Sequence, residues 1–388
     1  MKLRLDARTL MRAAQQTTAL NDYGDPTLPA RFAQVVERLQ TANMDAEGCD
    51  AAAKVCYQLL HSRLQFFDDH KHYSGVADEV IEKPVFVTGE PRSGTTLMHA
   101  LLAQDPDART LRFWQLMYSS PPPGVANDIA SRRQKADEDW RDINRRIPKW
   151  LICHPYNDML GDGLPECERT WAFDFRVLTP TAWWRVPMGM TIGGLPADFE
   201  AQYRIHRMTL QQGQFRLPPR RWVLKGFHGP RLKAFFETYP DARMIWMHRD
   251  PVQVIASRIA MAMALTEGLM GHAELEEQAL IHLAAARASF ADTMANPLVD
   301  DARIMHCRYQ DFVADPITIV RQFYHFCERP FTPAAEQAMQ CYLQTNRSDR
   351  HGRFHYSTEL IGQDVTQLHA EFASYRERFG IDIEHRRG

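Results

Sequence analysis

The chain has 388 residues, 45% of them hydrophobic, enough to bury a core in one large α/β domain or in two smaller ones. With 46 Lys and Arg against 48 Asp and Glu the formal charge is −2, which argues against general nucleic-acid binding and leaves room only for a local basic pocket. The first twenty residues scatter charges where a signal peptide would have an apolar run, no later stretch approaches membrane-spanning length, and the seven cysteines form no CxxC pair, so reduced thiols in a cytoplasmic protein are expected.

Residues 1–78 are expected to form a helical N-terminal extension packed on the remainder, 79–388, which is expected to be one α/β domain. Apolar residues recur at helical spacing in Phe32, Val35, Val36 and Leu39, and again in Val55, Leu59, Leu60 and Leu64. Turn chemistry at residues 21–26 separates the early helices. From Pro84 the texture changes to short apolar runs, each followed by polar, Gly or Pro residues. They lie at residues 84–88, 221–225, 243–248 and 303–307, with helical patterns between them. Strands alternating with helices predict a parallel sheet flanked by helices on both faces. The stretches at about 115–220 and 258–300 are read as mainly helical cap insertions, the first broken early by Pro121, Pro122, Pro123 and Gly124.

Residues 88–97, Thr-Gly-Glu-Pro-Arg-Ser-Gly-Thr-Thr-Leu, follow the first strand and open a helix through Met98, Leu101 and Leu102. Backbone N–H groups at such a turn point into one concavity, and the helix dipole favours an anion there. The hydroxyls of Ser93, Thr95 and Thr96 add donors. A Walker loop carries Lys and then Ser or Thr after its second Gly; here Thr95 stands at the Lys position, and Arg92 is the loop's only cation. A second signal, His248-Arg249-Asp250-Pro251, follows a strand, with Ser257 eight residues beyond Arg249 on the next helix. Arg249 and Ser257 can converge there on one phosphate, or Arg249 can serve a structural salt bridge.

Together these two motifs resemble the PAPS-dependent sulfotransferases, where PAPS is 3′-phosphoadenosine-5′-phosphosulfate. Residues 91–96 are similar to the family's 5′-phosphosulfate loop, and Arg249 with Ser257 to its 3′-phosphate site. The likeness runs from about residue 83 to Gly380, and the N-terminal helices resemble a bacterial branch of the family. It implies a P-loop-like fold, PAPS as co-substrate with PAP as product, and transfer of a sulfuryl group to a hydroxyl acceptor without a metal. By position, Arg92 would contact the sulfuryl group and the 5′-phosphate, and Ser93, Gly94, Thr95 and Thr96 would cradle that phosphate. Lys225, ending a strand, resembles a lysine placed beside the sulfuryl group, or is a solvated strand end. Arg350 and Gly352 resemble the basic loop that closes over the 3′-phosphate.

The acceptor hydroxyl needs a general base. Gln115 stands where relatives often carry Glu. His154 is ranked first, as an imidazole whose ordinary value lies near neutrality, so that the rate should climb with pH through that range. Glu166 is second, and His99 on the loop helix third. The abundance of Trp171, Phe173, Phe175, Trp183 and Trp184 in the first cap hints at an apolar or aromatic acceptor. Two other functions fit the same loop: a P-loop kinase or NTPase, and a PAP- or PAPS-binding regulatory protein without catalysis. No metal site is expected, since the sixteen histidines are scattered and His351 and His355 lack an HExxH context. Oligomeric state has no sequence signal.

Overall fold

Each of the four apolar runs read from the sequence forms a strand in the computed structural model, which describes residues 4–41, 46–175, 198–270, 272–347 and 349–384. The strands are β1 (Val85–Gly89), β2 (Ala108–Arg109), β3 (Arg221–Lys225), β4 (Arg243–His248) and β5 (Ile304–Arg308). At two residues, β2 is too short to leave a pattern in the sequence. Every pairing is parallel, in the order β2-β3-β1-β4-β5. The chain leaves β1 toward one side of the sheet and returns to its other side as β4. The carboxyl ends of β1, β3 and β4 therefore flank a topological switch point, where open α/β sheets hold their ligands.

Alternation along the strands sorts side chains onto two faces. Phe86, Trp222, Leu224, Met244, Trp246 and Ile304 enter one core layer, and Val85, Val87, Val223, Ile245, Met247 and Cys307 the other. Helices α1 (Ala7–Thr18), α2 (Leu28–Thr41) and α3 (Ala46–His72) precede the sheet, and α4 (Thr95–Leu102) follows β1. Between β2 and β3 run α5 (Phe113–Met117), α6 (Ile129–Arg146) and α7 (Trp150–Cys153), two 3₁₀ stretches (Pro155–Asp162 and Cys167–Asp174), and α8 (Phe199–Gln214). Then come α9 (Leu232–Thr238) before β4, and α10 (Pro251–Met270) and α11 (Leu275–Ala295) before β5. The chain closes with α12 (Tyr309–Ala314), α13 (Pro316–Phe326), α14 (Pro333–Thr345), α15 (Val365–Glu371) and α16 (Ala373–Phe379). Helices α8 and α9 cover the first face through Tyr203, Leu210 and Phe235, and α4, α13 and α14 cover the second through Met98, Phe323 and Met339.

The N-terminal helices make a cluster of their own from Phe32, Val35, Val36, Leu39, Leu60 and Leu64, joined by Phe175. Of the aromatic residues taken as hints of an acceptor, Trp171, Phe173 and Phe175 are buried in packing layers instead, and Trp183 and Trp184 lie outside the described residues. A buried ion network ties these helices to the 3₁₀ stretch Cys167–Asp174. Asp174 accepts from Arg31 Nη2 at 2.9 Å and Arg63 Nη1 at 3.3 Å, while Arg31 Nε donates to the Asp174 carbonyl at 2.7 Å. Burial lowers the Arg63 guanidinium to about 10, and the charge of Asp174 works against that shift. Asp174→Ala would leave two buried guanidinium groups short of a counter-charge, and should cost about 3–5 kcal/mol in denaturant unfolding. A loss under about 1 kcal/mol would mean that Asp25 and water replace the carboxylate.

Candidate active site

Gly89, at φ +142°, ends β1 where a Cβ would sit 2.4 Å from the Met247 carbonyl oxygen of β4, so only glycine lets the loop leave here. Glu90 then turns inward, pairs with Arg258 of α10 at 3.0 Å and accepts a hydrogen bond from Ser289 of α11. Ser93 is fully buried, and both its N–H (3.1 Å) and its hydroxyl (2.6 Å) go to the Glu90 carbonyl. The hydroxyl expected to face an anion thus shapes the loop instead. Arg92 at φ +81° and Gly94 at φ +91° are both left-handed, a strained state for arginine that persists only where its surroundings impose it. Gly94 begins α4 with no side-chain cap, leaving the first-turn N–H groups for an external acceptor.

Arg92 carries the clearest electrostatic signal. Its Nε donates to Ser257 Oγ at 3.0 Å, its Nη1 to the Cys153 carbonyl at 3.1 Å, and the Phe354 ring lies 5.1 Å from the guanidinium carbon. Among the described residues no carboxylate pairs with it, and burial lowers its proton affinity. A buried cation without a counter-ion is costly unless an anion joins it.

Arg249, directly after β4, donates from Nη1 to the Arg92 carbonyl at 2.9 Å, so the two sequence motifs meet at one residue. Its other edge is committed: Nε and Nη2 form a fork on the Glu384 carboxylate at 2.9 and 2.8 Å, and Nη2 also donates to Tyr356 Oη at 3.1 Å. The Tyr309 ring lies 4.2 Å from the guanidinium carbon.

Facing the loop, Lys225 Nζ at the end of β3 lies 2.5 Å from Glu166 Oε1 and 3.2 Å from Thr96 Oγ1. Lys225 is 3% exposed, so the solvated strand-end reading does not hold. Glu166 also accepts from Arg169 Nε at 3.0 Å. Burial pushes this carboxyl up, but Lys225, Arg169 and His154 outweigh it and hold it well below the usual range. His154 stacks on Trp150 with ring centroids 5.4 Å apart, and its Nδ1 is buried without a partner. Burial first, then the Lys225 charge, lower its imidazole to about 3.

Arg92, Thr95, Thr96, His154, Glu166 and Lys225 line one cavity of about 240 Å³. Phe113, Ile147, Trp150, Phe227, Met261 and Leu265 make its apolar wall. A larger cleft, about 560 Å³, opens near the other ends of the strands between Lys83, Asp107, Arg220 and Arg329, and collects none of the expected residues.

Four residues singled out in the sequence do not line this cavity. The guanidinium of Arg350 is held by Asp158 at 2.7 and 3.0 Å and by the Pro155 carbonyl. Gly352, at φ +110°, shapes the same loop, and it is the later residues Phe354 and Tyr356 that reach Arg92 and Arg249. His99 is on the buried side of the loop helix, its Nε2 3.2 Å from the Val223 carbonyl, a packed residue outside the cavity. Gln115 has a local task, accepting from the Arg112 N–H at 2.8 Å to cap α5. Sequence reading missed Glu384, Tyr356 and Phe354, which carry no local motif. Among the described residues no group of three or more His, Cys, Asp or Glu forms a metal-holding cluster, and no helix is long and apolar enough to cross a membrane.

A model of the sulfotransferase family matches residues 84–333. The chain belongs to the sulfotransferase family. This sulfotransferase superimposes on the crystal structure of sulfotransferase STF9 from Mycobacterium avium with a TM-score of 0.82, at 26% identity, covering 98% of each chain. Sulfotransferase STF1 from Mycobacterium tuberculosis shares the fold, with a TM-score of 0.77 at 24% identity over 96% of this chain and 100% of that one. The omega-hydroxy-beta-dihydromenaquinone-9 sulfotransferase Stf3 of Mycobacterium bovis is 26% identical over 337 residues, covering 79% of this chain and 78% of that protein.

An imidazole held near 3 is neutral throughout the physiological range, which moves the titration of His154 away from neutrality. The sign follows: the neutral form accepts a proton, it is already complete at pH 5, and raising the pH adds none. In kcat/KM, which reports the free enzyme, His154 should therefore give no ascending limb between pH 5.5 and pH 8. A limb near 6.5 that disappears in His154→Asn would show an imidazole far better solvated than its buried position indicates.

Proposed function

We propose that this sulfotransferase moves the sulfuryl group of PAPS to the hydroxyl of an apolar acceptor. The observation that carries this reading is the cavity in which an uncapped helix start and the unpaired Arg92 meet Lys225, Glu166 and His154 beside an apolar wall. The residues suit a phosphorylated donor. A Cβ at Gly94 would lie 2.9 Å from the Tyr309 ring, so glycine lets that ring pack against the loop, while the first-turn N–H groups of α4 have no side-chain cap and suit an anion. In this reading the transferase unit is residues 79–388, with 1–78 a helical extension packed on it, and the free cysteines suit a cytoplasmic enzyme.

When bound, PAPS would supply the activated sulfuryl group. The first-turn N–H groups, with Gly94, Thr95 and Thr96, would hold its 5′-phosphate; Ser93 acts through the loop's shape. Arg249 and Ser257 would hold the 3′-phosphate, Ser257 being positioned by Arg92. Arg92 and Lys225 would place positive charge where the sulfuryl and leaving oxygens gain negative charge, the larger share of catalysis in such transfers. His154 would take the acceptor proton on its neutral ring. Glu166, with its two oxygens engaged by Lys225 and Arg169, would position the lysine and is the alternative base.

The apolar wall favours a lipid-like or aromatic hydroxyl compound. The omega-hydroxy-beta-dihydromenaquinone-9 for which the Mycobacterium bovis relative is named is of that class. The kinase reading falls with the family assignment, and the non-catalytic reading has no support beyond Gln115, which caps a helix.

Calorimetry with EDTA present should detect PAP at about micromolar affinity or better. Arg249→Ala should weaken PAP by about 2–3 kcal/mol while sparing adenosine 5′-phosphosulfate, which lacks the 3′-phosphate. Heat that needs Mg²⁺, or equal weakening of both ligands, would defeat this donor reading.

Lys225→Met should lower kcat by about 10²- to 10³-fold with PAP affinity nearly kept, as expected for a charge used mainly in the transition state. An increase confined to KM would reduce Lys225 to a ground-state contact.

A further inference from the structure

The described segment that follows α16 brings Glu384 to the residue assigned above to the donor's 3′-phosphate. Ile381 is buried and its N–H bonds to the Arg376 carbonyl, which anchors the segment. Three residues later the Glu384 N–H donates to Asp250 Oδ2 at 3.0 Å, and Gln253 Nε2 donates to the Glu384 carbonyl at 3.2 Å. These contacts aim the Glu384 side chain at Arg249, where it takes the fork formed by Nε and Nη2.

A guanidinium has five N–H donors. Glu384 uses one on Nε and one on Nη2, Tyr356 receives the other on Nη2, and the Arg92 carbonyl receives one on Nη1. One donor is left, too few for the paired hydrogen bonds by which arginine grips a phosphate. A dianionic phosphate beside the Glu384 carboxylate would also face like charge in a buried setting, since Arg249 is only 6% and Glu384 13% exposed at the side chain.

We infer that the Glu384 carboxylate is an internal stand-in for the donor's 3′-phosphate, which PAPS and PAP must displace from Arg249. This rests on Arg249 being the 3′-phosphate residue. Glu384 thereby taxes only ligands that carry that phosphate. It weakens substrate and spent product alike, and so hastens release of PAP, a step that often limits turnover in nucleotide-dependent enzymes. The anchor at Ile381 lets the carboxylate swing without the tail leaving the protein.

The test is calorimetry on the full chain with PAP and, separately, adenosine 5′-phosphosulfate, for Glu384→Gln and Glu384→Ala, with melting curves as the check on folding. Removing the competing carboxylate should tighten PAP about tenfold or more and leave adenosine 5′-phosphosulfate unchanged. Unchanged or weaker PAP binding in both folded variants would overturn the inference, making Glu384 a clamp that readies Arg249. Failure of the underlying reading looks different: Arg249→Ala would then weaken both nucleotides equally, and the Glu384 variants would shift neither or both together.

Discussion

The site depends on a turn that holds the half-buried charge of Arg92 without a carboxylate partner among the described residues. Between β1 and α4 the chain passes through left-handed geometry at Arg92 and Gly94, and the buried Glu90 holds the turn from beneath through Arg258 and Ser289. Glu90 lies close in sequence to Arg92, yet its charge is spent on Arg258. The result is an arginine whose partners are a hydroxyl, a carbonyl and an aromatic ring. Neutral dipoles orient a guanidinium without cancelling it, so its field remains available to an incoming anion.

The same turn fixes the other groups by topology. Because β1 lies between β3 and β4, whatever ends those strands arrives at the loop's mouth: Lys225 from one side and Arg249 from the other. Helix α10 then delivers Ser257 and Met261, four residues apart on one face, to the two sides of Arg92. The cap contributes Glu166 and His154, which approach Lys225 from above the sheet. In the proposed reading, parallel strands thus set the donor half of the site and the helical insertion the acceptor half.

This division explains what could be read in the sequence. The anion loop, Lys225 and the Arg249–Ser257 spacing are legible because each is a strand end or a strand-to-helix turn, governed by neighbours a few residues away. The pairing of Arg249 with Glu384 spans 135 residues and that of Arg350 with Asp158 spans 192, and no local pattern encodes either. Arg350 shows why: a basic, glycine-containing loop reads the same in sequence whether its arginine meets a phosphate or an aspartate. Trp171 and Phe175 show the same limit, since an aromatic residue in a helical segment carries no mark of which layer it fills. Strand β2 was invisible because two residues cannot display a period.

The cavity's charges also bear on the His154 ring, proposed above as the base. Lys225 and Arg92, and Arg169 after them, oppose protonation of the ring beyond the effect of burial, and Glu166 favours it. A phosphosulfate bound at the loop would bring negative charge against Lys225 and Arg92, removing their part of the repulsion that depresses the ring. If the donor binds there as proposed, the ring's proton affinity would rise, by linkage, with binding. The apolar wall strengthens that coupling, because Phe113, Ile147 and Leu265 exclude the water that would screen it. In the reading proposed above, His154 would therefore be a better base once the donor is seated beside it, and the acceptor's proton would be drawn most strongly when a sulfuryl group is there to replace it.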